Sequence, residues 1–277
     1  MARVPICLLV RHGRTTANAS GTLAGWTGGV GLDETGRGQA EALGKRLSGL
    51  PVAAIVSSPL QRCQETSVIL ADALGALEVE TLQDLGECRY GAWTGGALKD
   101  LAQDPLWRVV QDHPSAARFP DSEEFPGESI AEMQLRAVQA IRATDAAVAR
   151  DHGPDALWVA VSHGDVIKSV IADAAGAHLD QFQRIMVDPA SLSVVRYTER
   201  RPFVVRVNDA GIDLAGLVPA PPEPAATGEG GDAEAGDAGA GHGGAGGEKG
   251  NATAARAVPD VDTSSDAPVG GGAGTAD

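Results

Sequence analysis

Apolar and polar positions follow two different rhythms along the first three quarters of the chain. Ile6-Cys7-Leu8-Leu9-Val10 and Trp158-Val159-Ala160-Val161-Ser162 are short apolar runs. Both are too short for helices, and the pattern predicts strands buried on both faces. Ala53-Ala54-Ile55-Val56 is a weaker third. Between these runs the spacing lengthens. Ala40, Leu43 and Leu47 fall on one face of a predicted helix over Glu34–Leu47, and a second is predicted over Pro59–Leu74, with Ser58 as N-cap and proline at the first helical position. A capping box, Ser129-x-x-Glu132, opens a third helix whose stripe is Ile130, Met133, Ala137 and Ile141. Leu192–Tyr197 and Phe203–Val207 read as late strands. Strands alternating with helices predict an α/β fold, a three-layer α/β/α sandwich around a mostly parallel sheet.

The rhythm stops at the proline-rich segment Pro219-Ala220-Pro221-Pro222-Glu223-Pro224. From residue 221 onward the chain holds 15 of its 36 glycines and no Phe, Trp or Tyr. Such a segment cannot bury enough apolar surface to offset an ordering entropy of about 1–2 kcal/mol per residue. The expectation is a catalytic domain over residues 1–218 and a disordered acidic Gly/Ala/Pro-rich tail over 219–277. That tail carries ten acids against Lys249 and Arg256, a large part of the net charge of −15. The charge repels polyanions and excludes nucleic acid as a partner. The apolar run near the start is five residues long, far short of the roughly 20 that cross a bilayer, and no cationic n-region precedes it. The chain is therefore expected in the cytoplasm, away from membranes. Cys7, Cys63 and Cys88 lack disulfide or zinc spacing and are expected to be reduced.

Arg11-His12-Gly13 follows the first predicted strand and Ser162-His163-Gly164 the later one. In open α/β sheets ligands bind beyond the carboxyl ends of strands, so both histidines fall where a site should lie. A glycine after each allows a ligand to approach the backbone. Arg62 stands in the first turn of the second predicted helix. That end is already positive, so a cation there makes sense if an anion sits at the helix start; the alternative is a side chain running out to solvent. Arg11, Arg62 and the two histidines would form a cationic pocket on a negatively charged chain. This points to phosphate, because guanidinium forks match phosphate oxygens in pairs.

With these residues in place, the sequence resembles the histidine phosphatase superfamily, in its phosphoglycerate mutase-like branch. The resemblance covers nearly all of residues 3 to 207 and rests on motifs in the family's order. These are Leu8–Thr15 with Asn18, Gly25-Trp26, Leu32–Ala40, Ser57–Thr66, Glu87–Gly91, Gly127-Glu128-Ser129 and Val161–Gly164. It implies that His12 is the nucleophile, forming a phosphohistidine that water hydrolyses. Arg11, Arg62 and His163 then hold the equatorial oxygens, with Asn18 as a neutral contact and Gly164 beside the phosphate. Glu87 matches the proton donor, a role that requires a raised pKa and predicts faster turnover at mildly acidic pH. Asn18 could instead favour a turn, and Trp26 and Trp93 could line the leaving-group side or belong to the core. The resemblance implies no metal and no cofactor.

Several positions depart from the mutase pattern. Ala24 stands where mutases carry a hydroxyl, and Cys88 where they carry arginine, with Arg89 displaced by one position. The stretch from Glu87 to His163 is also shorter than their substrate-covering insert. A mutase must exclude water while its intermediate reorients, so hydrolysis is favoured. The glutamate common after RHG is Arg14 here, an added charge suited to a second anionic group. Gly25, Trp26 and Arg89 complete the candidate substrate contacts. The expected activity is metal-independent hydrolysis of a small phosphorylated metabolite, the alternatives being a phosphomutase and an inactive phospholigand-binding protein. Oligomeric state stays open, a homodimer included.

Overall fold

The apolar run near the start becomes a strand with neighbours on both sides, which explains why it has no polar rhythm. The computed structural model describes residues 4–211; the predicted domain limit at 218 and the predicted disordered tail lie outside the described residues. Strands β1 (Ile6–Arg11), β2 (Val52–Ser57), β3 (Val79–Thr81), β4 (Leu157–Ser162), β5 (Leu192–Tyr197) and β6 (Pro202–Asp209) form one sheet in the order β3-β2-β4-β1-β5-β6. The first four run parallel, with Leu8, Val159 and Ile55 in one row across β1, β4 and β2. β5 pairs antiparallel with β1, and β6 with β5.

The connections contain α1 (Thr16–Ala19), α2 (Glu34–Leu47), α3 (Gln61–Ala73), α4 (Leu98–Leu101), α5 (Pro105–Asp112), α6 (Ile130–His152) and α7 (Gly164–Ala175). Successive strand side chains point to opposite faces, so each strand feeds two cores. Leu8, Val10, Val159 and Val161 pack under Leu43 and Leu47 of α2 and Leu70 of α3. Cys7, Leu9, Trp158 and Ala160 join Met133, Ala137 and Ile141 of α6 and Val166 and Val170 of α7. The architecture is the expected α/β/α sandwich. At about 1.5–3 kcal/mol per fully buried aliphatic side chain, the two cores hold the strand ends in a fixed relation, and those ends carry the chemistry.

Local signals account for most of these elements. Asp33 caps α2, accepting from the Gly36 amide, and the helix has the predicted bounds. Ser129 and Glu132 make the predicted capping box at α6. α3 corrects the expectation: it begins at Gln61, two residues late, with Leu60 as a cap that makes no side-chain bond. The Ser58 hydroxyl accepts from the Leu60 amide at 3.3 Å and makes its closer contact with the ring of His163, at 2.7 Å. After β1 the chain makes only the four-residue α1 before α2, so a strand–His–Gly–helix unit forms at β4 alone.

Candidate active site

The parallel register sets Arg11 opposite Ser162 at the carboxyl ends of β1 and β4. The next residue of each strand is a histidine, and the His12 amide donates to the Ser162 carbonyl at 3.0 Å. The two rings meet edge to face with centroids 5.3 Å apart. His12 Nδ1 lies 2.8 Å from the Gly13 carbonyl oxygen. A carbonyl can only accept, so Nδ1 carries the proton of the neutral ring and Nε2 keeps its lone pair. Burial, reinforced by Arg62 and Arg11, holds the His12 imidazole well below the usual histidine range. The ring is therefore neutral at physiological pH.

Three further segments converge on this pair. Arg62, buried in the first turn of α3, donates from Nη2 to the Gly25 carbonyl at 2.9 Å. Arg11 is fully buried and donates to the Val187 carbonyl at 2.8 Å. Burial lowers its pKa to about 10, which leaves it charged at neutral pH. Glu87 comes from the loop before Tyr90. Its Oε1 accepts from the Cys88 amide at 2.9 Å, and its Oε2 lies 3.7 Å from His163 Nδ1 and 3.9 Å from Arg62 Nη2. Burial, then the charge of Asp165, raises the Glu87 carboxyl to about 7 against the pull of Arg62. His163 caps α7 without a side-chain bond to the helix. Burial and Arg62 also keep its ring well below the usual histidine range. Gly164 is the first, buried residue of α7.

Asn18 serves both readings of the sequence. Its Oδ1 accepts from the Thr15 amide and hydroxyl at 3.1 and 2.9 Å, closing a capping box at α1. The side-chain NH2 keeps its hydrogen-bonding capacity, and the residue lines the same pocket as His12, Arg62, Glu87 and Gly25. The rest of that wall is Thr15, Thr22, Leu23, Ala24 and Leu98.

Other predicted residues lie at the margin. Arg14, like Arg11, His163, Gly164, Trp26 and Arg89, is not among the described lining residues; it pairs with Asp33 at 2.8 Å and donates to Thr35 at 2.8 Å. Trp26 donates its indole N–H to the Glu87 carbonyl at 2.7 Å and stacks under the Arg89 guanidinium, 5.3 Å from the ring centroid. It thus backs the Glu87 loop. Trp93 belongs to the core, stacked on Trp107. Gly13 also has a use the sequence reading missed, since a Cβ there would meet the backbone of Gly36. Cys63 lies 3.5 Å from His163 Nε2, and burial pushes its thiol up to about 12.

Sequence reasoning missed three supports: Ser58 on His163, the Thr66 hydroxyl that accepts from the Gly13 amide at 3.1 Å, and Arg136 behind Glu87. The only signal for Arg136 was an arginine set directly beside the buried stripe of α6. Among the described residues no group of three or more His, Cys, Asp or Glu could hold a metal, and no helix is long and apolar enough to cross a membrane.

A family model described as the histidine phosphatase superfamily (branch 1) matches residues 7–210. Bifunctional protein Rv2228c of Mycobacterium tuberculosis is 35% identical over 209 residues, which are 74% of this chain and 54% of that protein. The chain thus spans about half the length of that relative. A probable phosphoglycerate mutase GpmB of Yersinia enterocolitica is 31% identical over 69% of this chain and 84% of its own length. Among solved structures, the mycobacterial glucosyl-3-phosphoglycerate phosphatase Rv2419c in complex with VO3 superposes with a TM-score of 0.64 at 25% identity, covering 74% of this chain and 98% of that one.

Proposed function

The chain belongs to the histidine phosphatase superfamily, and from that premise we propose that it hydrolyses a small phosphomonoester through a phosphohistidine on His12, with Glu87 as proton donor. In the first step Nε2 of His12 attacks phosphorus, the bond from phosphorus to the ester oxygen breaks, and the Glu87 proton passes to that oxygen. Arg11, Arg62, His163 and the amide of Asn18 hold the equatorial oxygens as charge spreads over them. In the second step water attacks phosphorus, Glu87 takes its proton, and the N–P bond breaks to release phosphate.

The observation that carries this reading is a protonation pattern. A neutral imidazole keeps Nε2 unprotonated by fixing Nδ1–H on the Gly13 carbonyl, next to a carboxyl group half protonated near pH 7. The nucleophile and the acid are thus ready in the same pH range. kcat/KM is expected to hold on the acidic side and fall as pH rises through about 7, where Glu87 loses its proton. A pH–rate profile of Glu87→Gln lacking that limb checks the assignment.

The pocket wall favours hydrolysis over transfer within a bisphosphate. Beyond His12, Arg62 and Glu87 its described lining residues are uncharged: Thr15, Thr22, Leu23, Ala24, Leu98, Asn18 and Gly25. Among those lining residues a second phosphate or a carboxylate meets no cation beyond Arg62, and Arg14 is paired with Asp33. The substrate's alcohol part is accordingly proposed to be uncharged. The likeness to a probable phosphoglycerate mutase keeps the mutase as second reading. Phosphate release from a panel of phosphomonoesters in EDTA, with and without a bisphosphate primer, separates them: hydrolysis proceeds without primer, and a strict need for it would establish the mutase.

A further inference from the structure

Behind Glu87 stands an arginine with every donor committed. Arg136 lies on α6, opposite the loop of residues 84–87. Its Nη1 donates to the carbonyls of Asp84 at 2.7 Å and Gly86 at 2.9 Å, and its Nη2 to the carbonyl of Glu87 at 2.9 Å. The remaining donors go to Glu128, Nε to Oε2 at 3.0 Å and Nη2 to Oε1 at 2.6 Å. A guanidinium has five N–H groups, and all five are used. Glu128 Oε1 in turn accepts from the Arg89 amide at 2.9 Å, and the Glu128 amide donates to the Arg89 carbonyl at 2.9 Å. One side chain thus binds the carbonyls on both sides of the Glu87 Cα, while its partner carboxylate grips the chain two residues further on.

The Glu87 carboxyl itself has one close bond, to the Cys88 amide. Its position is therefore set by the backbone beneath it, and Arg136 refers that backbone to a 23-residue helix seated in the core. We propose that Arg136, oriented by Glu128, is a positioning residue that holds Glu87 at the leaving-group oxygen, an inference that rests on Glu87 being the proton donor. In kcat/KM, which reports the steps up to departure of the leaving group, a misplaced Glu87 damages the step in which the departing oxygen needs a proton, while its work as base on water falls in the later step. A basic leaving group suffers heavily, whereas an acidic phenolate departs almost unaided.

The test measures kcat/KM for ring-substituted phenyl phosphates of graded leaving-group basicity, which have nearly the same shape. For Arg136→Met, kcat/KM for the parent phenyl ester is expected to fall about 100-fold, within the range of general acid catalysis, and for the p-nitrophenyl ester less than about tenfold. Glu87→Gln should steepen the dependence in the same sense, and the double variant should be no steeper than Glu87→Gln alone. Arg136→Lys, which cannot span three carbonyls and a carboxylate, should fail to rescue. Retained turnover of the p-nitrophenyl ester serves as the folding control. Should Arg136→Met fail to fold, Glu128→Gln takes its place with a smaller steepening expected. A steepened Glu87→Gln with equal losses on all esters for Arg136→Met and Glu128→Gln overturns the positioning role alone. A Glu87→Gln enzyme with unchanged slope overturns the donor assignment on which it rests.

Discussion

The segments His12-Gly13 and His163-Gly164 look alike in sequence and are built for different work. Each follows a central parallel strand, and each histidine is buried. At His12 the ring turns back on its own loop, binding the next carbonyl, and the following glycine is wedged against the backbone of Gly36 at the start of α2. At His163 the ring is held from outside, by the Ser58 hydroxyl at 2.7 Å, and the following glycine opens α7. The first arrangement frees a nitrogen lone pair. The second engages Nε2 with a hydroxyl and leaves Nδ1 3.7 Å from Glu87 Oε2, beside a helix N-terminus where the amide dipoles favour an anion. In the proposed mechanism the repeated dipeptide supplies one attacking group and one holding group, and the two rings differ in which partner takes one ring nitrogen.

The sharpest way to break this comparison is to delete each ring. His12→Ala is expected to lose about 10⁴-fold or more in kcat, because the proposed phosphoryl acceptor is gone. His163→Ala should lose about 10²–10³-fold, the usual cost of one transition-state donor. Equal losses on a panel of esters would erase the distinction. Gly13→Ala comes next. A Cβ there meets Gly36 backbone that cannot swing aside, so denaturant unfolding should show a loss of about 1–3 kcal/mol, typical of overpacking, even with the catalytic side chains unchanged. Ser58→Ala is the mildest. It removes the bond to His163 and the longer one from the Leu60 amide, each worth about 0.5–1.5 kcal/mol, and should lower kcat a few-fold without altering the fate of a phosphoryl group on His12.

Much of the fold was legible because its signals are local. The bounds of α2 were marked by a stripe of three apolar residues, and the start of α6 by a capping box that spans four positions. The start of α3 was misread for the opposite reason. Ser58-Pro59 has the form of a helix start, and the serine does accept from the Leu60 amide at 3.3 Å, but its closer bond goes to a histidine 105 residues away, a tertiary demand the local pattern does not show. The same holds at the site. His12, Arg62, Glu87 and Asn18 could be named from ordered motifs and line one pocket. Arg14 stands beside the nucleophile in sequence, yet it is drawn off by Asp33, 19 residues on, and no local pattern marks that competition. Arg136 pairs with Glu128 eight residues earlier, but its link to the Glu87 loop was hidden because it runs through backbone carbonyls about 50 residues away, and carbonyls carry no sequence signature.

The central claim is that the lone pair of His12 Nε2 takes up the phosphoryl group. The most direct measurement is to quench turnover of p-nitrophenyl phosphate in EDTA and test the protein-bound phosphate for stability. The account predicts an adduct that survives base, is lost in acid, maps to residue 12 and is absent from His12→Ala. An adduct that withstands acid, one that persists in His12→Ala, or full turnover by that variant would contradict it.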